Sequence, residues 1–146
     1  MNLALAAVAA AALASPAHAA PQVTAAWSRP AAQGTTGAGF MTLRTPGAKP
    51  DALVSVESPL SDHVMVHQSA MSGGMASMKM VASVPVPAGR SVTFAPGGYH
   101  LMFTGLTRPL NVGDSLPATL TFASGAKVKA TFVVGLAPPV APTSKR

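Results

Sequence analysis

The sequence predicts an all-β sandwich or barrel. Three observations carry that prediction. No window repeats apolar residues at helical spacing. Apolar and polar residues instead alternate over short runs, the period of a strand with one buried face. Nearly every run is closed by a residue drawn from the 13 glycines and 14 prolines, so turns come often enough for many short strands.

The elements follow in order. Leu3 to Leu13 is an apolar run too short to cross a bilayer. Ser15-Pro16 and Ala17-His18-Ala19 come next, the pattern of an export signal with an Ala-x-Ala cleavage site. Met1-Asn2-Leu3 lacks the usual basic residue. Pro21 disfavours a later cut, so residues 1–19 are expected to form a signal peptide and to leave no membrane span. Residues 22–29 read as a first strand ending at Pro30, and 31–36 as a loop of small residues. Strands are expected at 37–44, after a glycine-rich opening, and at 52–57, after the turn of Thr45-Pro46-Gly47. Asp62 to Gln68 alternates again, with Val64 and Val66 on one face and His63, Met65 and His67 on the other. Ser72-Gly73-Gly74 is a loop tip, and 77–84 a return strand. Residues 85–89 and 96–98 read as turns, with strands at 91–95 and 99–104. Residues 116–123 and 127–134 form a hairpin about Ser124-Gly125. The expected division is one β-domain over 20–135 and a disordered Ala/Pro-rich tail over 136–146.

Ten bases against four acids give a net charge of +6, yet charged residues are only 10% of the chain. Trp27 and Tyr99 are the sole Trp and Tyr, and no Lys/Arg run occurs, so nucleic acid is not the expected partner. There is no cysteine. That excludes disulfides, thiolate metal sites and blue-copper electron transfer, and leaves methionine as the only sulfur.

The chemistry concentrates between Ser61 and Met102. This stretch holds Met65, Met71, Met75, Met78, Met80 and Met102, six of the eight methionines, and three of the four histidines. In 99–103, Tyr99, Leu101 and Phe103 take the core face, which points His100 and Met102 the other way. His67 is placed likewise by Val64 and Val66. Met78 and Met80 could be core, the commoner reading of a single Met. That reading weakens where five Met surround a flexible Ser-Gly-Gly tip. His67, Met78, His100 and Met102 together offer two imidazoles and two thioethers. Soft thioethers select copper(I), whereas zinc prefers thiolate, imidazole or carboxylate, and calcium prefers oxygen. Imidazoles must be neutral to bind, so affinity is expected to weaken below about pH 6. His63, Met65, Met71 and Met75 are expected to be solvated surface or docking residues.

The spacing His-x10-Met-x21-His-x-Met resembles the motif of the periplasmic copper chaperone family written PCuAC. The resemblance extends to Ala26-Trp27-Ser28-Arg29-Pro30, Gly37-Ala38-Gly39-Phe40 and Pro96-Gly97-Gly98-Tyr99-His100-Leu101-Met102. It implies a cupredoxin-like Greek-key β-fold and a periplasmic location. It also implies copper(I) ligation by His67, Met78, His100 and Met102. The implied recipient is the binuclear copper centre of cytochrome c oxidase, reached directly or alongside a Sco-type assembly factor. Gln68 stands where many members carry Met, and the tail lacks the His and Met of some members. The alternative is a non-metal periplasmic interaction domain with a Met-rich docking surface. An enzyme is not expected: Ser61-Asp62-His63 alternate faces on a strand and cannot form a triad.

Overall fold

The computed structural model describes residues 19–140. The expected signal peptide, apart from its last residue, and the tail beyond 140 lie outside them. Ten strands are present: β1 (Gln22–Ser28), β2 (Gly37–Arg44), β3 (Asp51–Glu57), β4 (Ser61–Ser72), β5 (Met75–Met80), β6 (Val84–Val86), β7 (Ser91–Phe94), β8 (Tyr99–Leu106), β9 (Ser115–Phe122) and β10 (Lys127–Val134). There is no helix among the described residues. The strands hydrogen-bond in the order β5-β4-β8-β2-β1-β10-β9-β3-β6, and β7 pairs with β2. Only β1 and β10 run parallel.

Period-2 alternation builds the core. In β9, Leu116, Ala118, Leu120 and Phe122 are buried between more exposed neighbours. With Leu43, Leu53, Leu101, Phe103 and Phe132 they form one continuous cluster. A cluster drawing on strands from β2 to β10 requires the sheet to curl over its inward face, as a sandwich or barrel does. Phe103 meets Phe132 edge to face, with centroids 5.6 Å apart.

Gly39 lets this packing close. A Cβ there would stand 2.6 Å from the Phe103 ring. That is well inside contact distance, so only glycine lets β2 lie against Phe103 in this way.

Two differences from the sequence reading have physical causes. The expected return strand 77–84 is two strands. β5 ends at Met80, and Val81 N–H closes the ladder by donating to Val66 O at 2.9 Å. The chain then crosses to the far end of the sheet, where β6 pairs with β3. Pro85, read as part of a turn, sits in β6 opposite Ala52. An edge strand accepts proline because its outer N–H positions need no partner. The second difference is length. β4 continues to Ser72, four residues past the expected end, and every residue from Ala70 to Met80 is exposed. The β4–β5 hairpin is therefore an arm extending past the core.

A bulge in β1 re-aims one side chain. Val23 pairs with Leu43 on the core face, and the register slips between Thr24 and Trp27. Ala25 takes a positive φ of 50° inside the slip. The extra residue inverts the alternation, so Trp27 lies opposite Phe40 on the outward face.

Two substitutions test this account by denaturant unfolding. Gly39→Ala should cost about 1–3 kcal/mol, as overpacking does. Ala25→Gly should stabilise by up to about 1 kcal/mol, because it relieves a left-handed alanine at some cost in unfolded-state entropy.

Candidate metal centre

Register assembles the site. β4 and β8 are antiparallel, with His67 opposite His100, Met65 opposite Met102, and Val66 opposite Leu101. Residues directly opposite share a face, so the pairing that sends Val64 and Val66 toward the core sends His67, His100, Met65 and Met102 outward together. On the other side of β4, His67 lies opposite Met80 and Ser69 opposite Met78. Met78 and Met80 of β5 therefore join the same outward face. Met78 is a diagonal neighbour of His67, and Met80 its direct one.

The contacts follow. The Met78 sulfur lies 3.1 Å from His67 Nδ1. The His67 and His100 rings meet edge to face, with centroids 5.7 Å apart. His100 Nδ1 lies 3.3 Å from Gly98 O. A carbonyl can only accept, so Nδ1 carries the proton and the His100 lone pair falls on Nε2. This is the usual way a second hydrogen bond orients a ligating imidazole.

His67 is frustrated in either tautomer. Its Nε2 is buried with no partner, the sole such side-chain nitrogen or oxygen among the described residues. With the proton on Nδ1, facing the Met78 sulfur, Nε2 is a buried bare lone pair. With the proton on Nε2, a nitrogen and a sulfur lone pair face each other at 3.1 Å. An unmet buried polar group costs about 1–3 kcal/mol. A cation bound at the bare ring nitrogen converts an unused lone pair into a bond. Among the described residues no three His, Cys, Asp or Glu side chains gather as a metal-binding group. The donors on this face are imidazole and thioether, a set suited to a soft cation.

Of the four residues singled out in the sequence, His67, Met78 and His100 are in mutual contact through His67. Met102 stands two residues along from His100 on the same face, half-buried and opposite Met65. Met78 is 56% exposed, so it is not a core residue. His100 faces away from the core as expected, yet only 7% of it is accessible. β8 is an interior strand between β4 and β2. Phe40 and Trp27 are both buried but stand outside the main core cluster. Their rings lie 4.8 Å apart, and the Arg29 guanidinium lies 5.4 Å over Phe40. This aromatic pair was not foreseen, because the bulge that turns Trp27 outward leaves no mark in the alternation. His63 is exposed and pairs with Thr104, away from the His67–His100 row.

Residues 21–134 match the family described as "Putative lipoprotein LpqE-like". "Putative lipoprotein Lxx21020" of Leifsonia xyli subsp. xyli (strain CTCB07) is 32% identical over 105 residues, 71% of this chain. The chain spans 63% of that relative's length. Among solved structures, the solution structure of CuI-DR1885 from Deinococcus radiodurans is 35% identical with a TM-score of 0.60, covering 79% of each chain. The copper-bound PCuAC domain from PmoF2 is 23% identical with a TM-score of 0.67, covering 82% of this chain and 95% of that one. The fold is thus that of PCuAC domains, as the cupredoxin-like expectation required.

Long-range 1H–15N spectra of the metal-free protein should show His100 protonated at Nδ1. Protonation at Nε2 instead would mean that Gly98 does not set the tautomer.

Proposed function

This chain belongs to the LpqE-like family, and from that premise we propose that it is an exported copper(I) chaperone. One copper(I) ion is held by His67, Met78, His100 and Met102 and given up to a partner. The observation that carries this reading is the His67 environment: a sulfur 3.1 Å from one ring nitrogen, and a second ring nitrogen buried without a partner. The 35% identity to CuI-DR1885 adds weight to the choice of metal.

Copper is the cargo, and each donor has a task. The imidazoles anchor it: His100 is buried and oriented by Gly98, and His67 is fixed in the interior of the β4–β8 ladder. The thioethers add soft, neutral ligation, so the bound ion keeps its single positive charge and no proton is released from sulfur. Met78 stands on the exposed β5, which has a neighbour on one side only. Rigid anchors on interior strands and a labile donor on an edge suit an ion that must leave as well as arrive.

Copper is accepted and released in the periplasm, after residues 1–19 have been removed, by the domain spanning 20–135. The recipient in this reading is the binuclear copper centre of cytochrome c oxidase or a Sco-type factor that serves it. The protein transports and does not catalyse. Met71 and Met75 are 72% and 75% exposed at the tip of the arm. That exposure favours their use as an adaptable docking surface for the recipient.

Competition of the mature protein against a coloured copper(I) chelator should show one ion bound per chain, and X-ray absorption should count two nitrogen and two sulfur scatterers. Met78→Leu and Met102→Leu should each weaken binding by at least about tenfold, the lower end of the loss seen on disturbing metal-site partners. A wild-type protein that fails to compete leaves the interaction-domain reading in place.

A further inference from the structure

The four-donor reading leaves Met65 and Met80 of this face unused, and of the two only Met80 stands directly opposite a histidine of the proposed site. It is the direct cross-strand partner of His67, whereas Met78 is the diagonal one. Directly opposed residues place their Cβ atoms about 5 Å apart, within reach of a long side chain. The row Met80–His67–His100 therefore runs straight across β5, β4 and β8. Along it exposure falls from 67% at Met80 to 7% at His100. Packing does not account for Met80, since the whole of β5 is exposed. Nor is it on a loose tip: the Val81–Val66 hydrogen bond of 2.9 Å pins the backbone immediately after it.

We propose that Met80 is the exchange thioether of this site, the sulfur through which copper(I) enters and leaves. The proposal rests on the copper(I) reading above and names a further metal-contacting residue for it. A buried ion cannot be lifted out in one step without baring several coordination positions at once. A sulfur at the solvent end of the row removes that barrier. As the bond to Met78 or Met102 breaks, a bond to Met80 forms. An incoming donor from the recipient then displaces Met80. Copper stays monovalent throughout, no electron is transferred and no proton moves. Because the same path is used in both directions, Met80 must speed loading and release alike and leave the equilibrium nearly unchanged.

The test is kinetic. Met80→Leu keeps the bulk and apolarity of the side chain and removes the sulfur on an exposed strand, so circular dichroism and the unfolding midpoint should match wild type. Equilibrium affinity is read by competition with bicinchoninate. Loading from copper(I) and release to excess bicinchoninate are followed by stopped flow. Both rates should fall by at least about fivefold, and by the same factor, while affinity stays within about threefold. Any smaller effect on the rates overturns the proposal. A loss of affinity as large as that of Met78→Leu also overturns it, because Met80 would then be a resident ligand. If wild type does not bind copper(I) at all, the chaperone reading fails first. A wild type that binds, with an unaltered Met80→Leu, fails this inference alone.

Discussion

The β4–β8 register is the constraint on which the molecule depends. It opposes Val64 to Phe103 and Val66 to Leu101 on one face, and His67 to His100 and Met65 to Met102 on the other. A slip of one residue would exchange the faces and bury imidazoles where the core needs leucine and phenylalanine. The apolar side enforces the register, since Leu101 and Phe103 are wholly buried in the main cluster. The polar side inherits its geometry from that packing. The imidazole and thioether face thus needs no stabilising contacts of its own, and its lone pairs can remain unsatisfied.

The surroundings extend the same division. Behind β8, Gly39 allows β2 to close on Phe103. The bulge at Ala25 then sets Trp27 against Phe40. At the other end β4 runs past the core and carries β5 out with it. One end of the row is buried at His100 on an interior strand and the other is open at Met80 on an edge strand. An ion there can be held by rigid donors and still be approached from outside.

The donor chemistry matches this asymmetry. Neutral imidazole and thioether groups gain less from a cation than thiolates would, and the chain has no cysteine. In the proposed reading, weak neutral donors together with a buried anchor suit an ion that is carried and then released. The net charge of +6 plays no direct part in the ligation. Lys79 lies between Met78 and Met80 on the exposed β5.

Much of this was legible in the residues. The all-β class, the faces of β4 and β8, the hairpin of β9 and β10 and the tip at Gly73-Gly74 follow from period-2 alternation and turn chemistry. These are local effects of sterics and burial. His67, Met78, His100 and Met102 could be singled out because their types are unusual for the core at those positions and their spacing resembles that of the PCuAC motif. Other features could not be read along the chain. The parting of β5 from β6, the outward turn of Trp27 and the burial of His100 depend on which strands become neighbours. So does the straight row that makes Met80, and not Met78, the direct partner of His67. Local sequence determined which side chains face away from the core. Tertiary pairing decided which of them meet, because hydrogen-bond register between strands distant in the chain is settled by the packing of the opposite face.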